Sequence, residues 1–483
     1  MHPRYTPLLL LLACGAGTDD TSPVTGTGTG SGAASLTATA TKSTEVGSVF
    51  HVTWTTDQAA ESWVEFGLDG ALDRQTPVQT DVTDHAHTLL GMKAGRTYTW
   101  RAMARLADGT ELASESATLT TDVPSGMSPL TLVTSEPGST VADGYIQFSQ
   151  IENDGDTFAV IIDGEGDVVW WKKGDPNTMI VTSRPSPDGS ELLFSQYDLG
   201  QTADVSKLFR MRIDTTQTVE TRLLQGHHDF HVWPDGTVGF LSYVTDVPNT
   251  LASDAIFEVA EGATDADSPS VIFNFLEDYP QDPWFVCEHM PGWAANPSFE
   301  EWTHSNSLMV VDDDHYFLMS KFHDSVLKIE RSTGTVVWQM NGLYGDFTGP
   351  GGSSLWNAPG ETQLWTHAHM SHLWLTPDDP VYEGCMVVFD NGYHMTPEVS
   401  SAVEVCWDED TMEATEMWRY VEPDGGFTPL MGDVRKLDST YLIGWANVGH
   451  LDEVSPDGTV LWRVDLGQGA VSGRLQPLAT LYP

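Results

Sequence analysis

The sequence predicts an all-β chain: a six-bladed β-propeller preceded by a small β-sandwich. Three observations carry this reading. The composition is rich in Gly (44), Pro (27) and Trp (17), without long Lys/Glu/Ala/Leu runs, which favours strands and turns over helices. A two-part strand unit recurs six times after residue 130, at roughly the 45- to 80-residue spacing at which short strands stack as propeller blades. Ahead of the repeats, short alternating apolar and polar strands are separated by turn residues. At 483 residues the chain is also longer than one ordinary domain.

Residues 1–14 read as an export signal. Arg4 is the positive flank, Leu8 to Leu12 a short apolar core and LLAC the cleavage region. Leu11-Leu12-Ala13-Cys14 resembles a bacterial lipobox, which makes Cys14 the expected lipidation site. The expected location is outside the cytoplasm, either lipid-anchored to the cell envelope or secreted. A membrane is then met only through the anchor, because no later stretch stays apolar for the ~18 residues a span needs. Residues 15–34 are rich in Thr, Gly and Ser and predict a disordered tether. Residues 35–122 hold the strands VFHVTWTT, SWVEFG, AHTLLG, TYTWRAMARL and SATLTT, and the run from WTTD to TYTWRA resembles a fibronectin type III module. His85 and His87 in it are expected on a cross-strand surface.

The propeller is expected over residues 130–478. The first parts of its units are DGYIQFSQ, SPDGSELLFSQYD, WPDGTVGFLSYV, VDDDHYFLMSK, the run ending in CMVVFDNG, and LDSTYLIGWAN. The second parts are strand pairs such as VLKIERSTGTVVWQM and LDEVSPDGTVLWRV. These first parts are expected to open the blades and line the channel, with the strand near Leu461 to Val464 beside the first blade or completing the last. Three histidine clusters precede opening strands: GHHDFHVW with His227, His228 and His231; WTHSNS with His304 and Asn306; and THAHMSHLW with His367, His369 and His372. The shared His-x-x-His-aliphatic-Trp pattern pairs His228 with His369 and His231 with His372. Histidines at one position of a repeat that closes into a ring converge near its axis. Arg184, Lys321, Asp433 and Arg435 stand at comparable points of other units. The inserts at 277–301 and 341–366 enter just before histidine-bearing strands and are expected over the same end of the ring.

A net charge of −47 excludes nucleic acid and anionic membrane as partners, since both would be repelled. The acidic loops are candidates for Ca²⁺, against the plainer reading of solvated surface. Beyond Cys14 there are three cysteines. Cys385 opens one strand and Cys406 ends the next, so a hairpin brings them face to face and predicts a disulfide in an exported protein, the alternative being two buried thiols. Cys287 is left over. There is no Cys-x-x-Cys spacing for structural zinc.

Imidazoles with nearby cations suit a sulfate- or phosphate-like oxyanion. One imidazole can instead be a nucleophile, with another as acid or base. Three can equally hold a metal, and any single one can serve only to bond a strand carbonyl.

From Gly226 to Leu466 the chain resembles the bacterial arylsulfotransferases that need no phosphoadenosine donor. HHDFHVWPDG, THSNSLMVVDDDHYFLMSKFHDSVLKIERSTGTVVWQMNG, THAHMSHLWLT, VVFDNG, SAVEV and LDEVSPDGTVLWRV carry the resemblance by their order. It implies a six-bladed propeller behind a small β domain, no required cofactor, a phenolic sulfate donor and a phenol acceptor. It also implies a transiently sulfated histidine, with two more histidines and an arginine on the sulfate oxygens. Carried over, His228 and His304 bind sulfate. His369 is the first choice for nucleophile and His372 the second. The family arginine falls at Lys321 and the acid after the nucleophile at Met370. His227, Asn306, Arg184, Asp433 and Arg435 complete the expected substrate site, with no metal. Two other functions compete: a non-catalytic surface lipoprotein with a ligand-binding propeller, and a metal-dependent hydrolase using the histidine ring.

Overall fold

The computed structural model describes residues 24–27, 36–198, 205–265, 267–279, 298–355, 364–374, 384–467 and 469–482. Cys14, Cys287 and most of the expected tether and of the insert at 277–301 lie outside them. Val24–Thr27, within the expected tether, forms a short strand antiparallel to Thr37–Ala40. No helix among the described residues is long and apolar enough to cross a membrane.

The chain divides into two compact units, the first made of residues 1–42, 50–87 and 98–119. It is a strand assembly organised by Phe50–Leu68, nineteen residues long. The start of this strand pairs with Thr37–Lys42, and its later part pairs with Thr97–Leu106 over Ala60 to Leu68. One continuous strand therefore sits at the middle of a single eight-stranded sheet, where two separate layers are expected. His85 and His87 are not at a surface. Both are buried and stack on Trp54 at ring distances of 5.0 and 5.2 Å. Their polar atoms meet the hydroxyls of Thr56, Ser62 and Thr76, which is why the alternating pattern around them does not reveal an inward face.

The second unit (residues 43–49, 88–97 and 120–483) is a six-bladed propeller of antiparallel sheets. Blade one has Tyr145–Ile151, Thr157–Asp163 and Val168–Lys173. Blades two to five follow in chain order, and blade six holds Asp433–Lys436, Tyr441–Trp445, His450–Val454 and Val460–Asp465. Two exchanges close the ring. Thr131–Ser135 adds a fifth, outer strand to blade six, and Val471–Leu478 becomes the innermost strand of blade one, paired with Tyr145–Ile151. Val460–Asp465 thus completes the last blade, and the strand that finishes the first lies beyond it. Apolar residues of adjacent sheets interlock between blades, as Phe148, Leu475, Leu442, Leu451 and Trp462 do between blades one and six.

The expected order of strands is corrected in one respect. The histidine clusters do not precede the channel-lining strands; they are those strands. Gly226–Val232, Ser305–Val310 and His369–Trp374 are the innermost strands of blades three, four and five, and the apolar strands read as opening strands are second. A strand facing a polar axis lacks the apolar alternation by which strands are recognised. Cys385 and Cys406 sit opposite each other on neighbouring strands and form a disulfide.

Two outcomes follow. A chain ending at Leu466 lacks the inner strand of blade one and exposes a sheet edge; it should be insoluble, and a monodisperse folded product in size-exclusion chromatography would refute this closure. Replacing both Cys385 and Cys406 by Ala should lower unfolding free energy by about 3 kcal/mol, from the freed loop entropy, as measured by denaturant titration.

Candidate active site

The inner strands of blades three, four and five are each distorted where their histidines stand. Pairing register shifts between His227 and Phe230, between Ser305 and Ser307, and between His369 and His372. His228, His304, His367 and Met370 have φ of 52°, 49°, 50° and 46°, left-handed values that cost a non-glycine residue about 1 kcal/mol or more. A bulge re-aims a side chain out of the alternating pattern. Here the bulges point imidazoles of three blades at one place. The rings of His228 and His304 are 4.8 Å apart and those of His304 and His369 6.1 Å.

Each imidazole has a different backing. His369 Nδ1–H donates to Asn391 Oδ1 at 2.6 Å. Asn391 cannot turn its amide round, because its Nδ2 donates to the carbonyls of Thr428 (2.6 Å) and Met431 (3.0 Å). The tautomer of His369 is therefore fixed with its lone pair on Nε2. His228 Nδ1 lies 2.8 Å from His227 Nδ1, and His227 Nε2 lies 3.2 Å from Asp254 Oδ1. His304 Nδ1 is 2.9 Å from Glu301 Oε1. Burial pushes the Asp254 carboxyl up, but His227, the Ser305 amide and the Thr303 hydroxyl more than offset it and leave it below its usual range.

Lys321 is buried in the turn after His315–Ser320, with its ammonium 5.4 Å above Phe322 and 5.5 Å from the ring of Tyr393. Burial, and then the charge of Lys321 and the neighbouring imidazoles, holds His369 well below the usual histidine range; burial, His304, His227, His369 and Lys321 do the same to His228. Phe322, His367, Tyr393 and Phe427 form an aromatic chain beside these groups, with successive ring distances of 5.5, 4.7 and 5.1 Å.

Arg184, Asp433, Arg435 and His372 do not join this group. They meet around Arg474, on the C-terminal strand. Asp229 pairs with Arg184 and accepts from Arg474 at 2.6 Å; Asp433 Oδ2 accepts from the Leu475 amide at 2.7 Å, and Arg435 Nε donates to the Leu475 carbonyl at 2.7 Å. Asn306 is buried and donates to the Ala368 carbonyl at 2.9 Å, tying blade four to blade five. His227 stands behind His228. Asn391 lies in the VVFDNG motif, without an assigned role until the structure shows its partner. Asp254, Glu301, Tyr393 and Arg474 carry no motif signal. Among the described residues, three acidic side chains, Asp163, Glu165 and Asp167, gather as a cation site would, but the Lys93 ammonium lies 2.7 Å from Asp167 and 3.4 Å from Asp163.

The arylsulfotransferase (ASST) family model matches residues 119–476, which takes in all six blades except the last two residues of the closing strand and about three-quarters of the chain. The chain belongs to the arylsulfotransferase family. At the family level it is a sulfuryl transferase, with an aryl sulfate as donor and a phenol as acceptor in general terms. No curated protein matches it. Solved structures resemble it only distantly. A nidogen/laminin complex has a TM-score of 0.37 at 9% identity, covering 70% of this chain and 99% of that one. A putative 6-phosphogluconolactonase from Bacteroides uniformis has 0.34 at 10%, covering 87% and 100%. Apo AztD from Citrobacter koseri has 0.31 at 8%, covering 87% and 99%.

Within this arylsulfotransferase the depressed basicity of His228 and His369 has a direct readout. A histidine whose folded pKa lies below 6.5 stays neutral as pH falls through 6.5. In ¹⁵N-resolved NMR the imidazole signals of both should not shift between pH 7.5 and 5.5, while exposed histidines titrate. A midpoint near 6.5 for His369 would overturn its assigned environment.

Proposed function

We propose that the chain is a ping-pong aryl-sulfate sulfotransferase in which His369 carries the sulfuryl group. The observation behind this reading is the fixed tautomer of His369: Asn391 Oδ1 accepts the hydrogen bond from Nδ1–H and leaves Nε2 with its lone pair as the nucleophile, beside His228, His304 and Lys321. Nε2 attacks the sulfur of the donor, an N–S bond forms, the S–O(aryl) bond breaks, and the electron pair leaves with the phenolate. Lys321 offsets the phenolate charge, while His228 and His304 donate to the sulfuryl oxygens. In the second half the acceptor, its proton released to solvent and its phenolate charge offset by Lys321, attacks sulfur through oxygen; the N–S bond breaks and its electron pair returns to Nε2. Phe322, Tyr393 and Phe427 offer an apolar wall to the aryl ring.

Lysine at 321 keeps the charge of the family arginine but not its two-pronged hydrogen bonding. The ring of cations and imidazoles supports an oxyanion more than a metal. The only groups of three possible metal ligands within 4.8 Å of one another, among the described residues, are elsewhere and contain no histidine.

The test is intact-mass analysis of protein given an aryl sulfate without acceptor. One sulfuryl group should appear, mapping to His369 and discharging on added phenol. His369→Ala should gain none, and His228→Ala should gain it more slowly. Lys321→Ala should be slower by about 10²-fold or more, the scale of losing one pre-aimed charge donor. Asn391→Leu should fall by a similar factor, because Nδ1 loses its acceptor and the tautomers mix. Label on His372, or none on any histidine in folded protein that binds the ester, would sink the reading.

A further inference from the structure

Beneath the clustered histidines lies a second ring of polar groups, in which His231, Ser307 and His372 stand three residues beyond His228, His304 and His369 on the inner strands of blades three, four and five. Every blade contributes to it. Arg474 comes from blade one, Arg184 from blade two, Asp229 and His231 from blade three, Ser307 from blade four, His372 from blade five, and Asp433 with Arg435 from blade six. Arg474 reaches across the axis, donating to Asp229 at 2.6 Å and to Ser307 of the opposite blade at 2.9 Å.

The charges in this ring do not balance. Three guanidinium groups face two carboxylates, an excess of one positive charge even with both carboxylates ionised. Burial pushes the Asp433 carboxyl up, which can only enlarge the excess, and Arg435, lowered to about 10 by burial, remains charged at neutral pH. Both histidines are neutral. Burial, Arg435, Arg474 and Arg184 hold His372 far below its usual range, and burial with Arg184 brings His231 to about 3. Several groups are also left without partners although buried: Arg184 Nε, Arg474 Nε, His231 Nδ1, His372 Nδ1 and Asp433 Oδ1. Arg435 Nε donates to Leu475 and lies 3.2 Å from Asp433 Oδ2, while among the described residues its terminal nitrogens make no hydrogen bond. Each guanidinium has a carboxylate beside it, but Arg184 and Arg474 share Asp229, and an uncompensated buried charge costs several kcal/mol unless a counter-ion offsets it.

We propose that this ring binds one small monovalent anion of the chloride class, between Arg435, Arg474 and His372, at a site separate from the sulfuryl-transfer histidines. One negative charge cancels the excess, and guanidinium N–H groups and a neutral imidazole N–H can all donate to it. His231 belongs both to this ring and to the wall of a cavity of about 950 Å³, which it shares with Arg210, Trp233 and Arg331. The inference does not depend on which histidine is sulfated.

Thermal unfolding of the full chain in sodium chloride and in sodium gluconate, at equal ionic strength, tests it. Chloride should raise the midpoint saturably by several degrees, and gluconate should not. Arg435→Gln should abolish the difference and Lys321→Ala should preserve it. If Arg435→Gln does not fold, Arg435→Lys replaces it, and should need about tenfold more chloride for the same rise. Crystals grown in bromide should show an anomalous peak among Arg184, Arg435 and Arg474. Coincident melting in the two salts, a chloride effect that survives loss of Arg435 but not of Lys321, or bromide only at the histidine cluster would overturn the proposal.

Discussion

The whole structure depends on one strand pairing, Val471–Leu478 against Tyr145–Ile151. Its partners are more than three hundred residues apart, so closing this loop costs about 5 kcal/mol of chain entropy on the logarithmic estimate. What offsets it is local. Leu475 and Leu478 are buried, at ~1.5–3 kcal/mol each, and the backbone of Leu475 is held on both sides by Asp433 and Arg435. Those two residues, which the sequence suggests as ligands for substrate, are committed to closing the ring.

Closure also fixes what stands on the axis. Arg474 enters the channel only because its strand is the innermost one of blade one. It crosses to blades three and four and touches the Met370 sulfur at 3.4 Å, so it forms the floor under the histidine cluster. Above that floor the left-handed residues His228, His304, His367 and Met370 hold strained backbone. Their strain is tolerated because neighbours grip them: Thr182 donates to the His228 carbonyl at 2.6 Å, and the His367 amide donates to Asp324 at 2.6 Å. Asp324 is itself a buried carboxyl pushed up to about 8, mainly by burial.

Much of this was legible from residue patterns, and the limits have physical causes. Apolar strands and PDG-type turns reveal six blades, because those strands pack sheet on sheet. The repeated His-x-x-His motif reveals that His228 and His369 occupy like positions, and their convergence with His304 is geometry a ring imposes. The innermost strands themselves are hidden, since they are polar and bulged and follow no period of two. Asn391 is visible as part of a motif, but its grip on His369 is a long-range contact with no sequence spacing. Arg474 and the pairing of its strand with residues 145–151 are invisible for the same reason. His372 matches His231 in register, yet register alone cannot say at which depth of a channel a side chain ends.

The late position of the closing strand has a temporal consequence. On the ribosome, the segment carrying His228, His304 and His369 emerges before residues 471–478 exist. Five blades can collapse while the first still lacks its inner strand and the axis beneath the imidazoles lacks Arg474. Synthesis of nearly the entire chain thus precedes the complete axial arrangement, and a product truncated before residue 471 lacks it altogether.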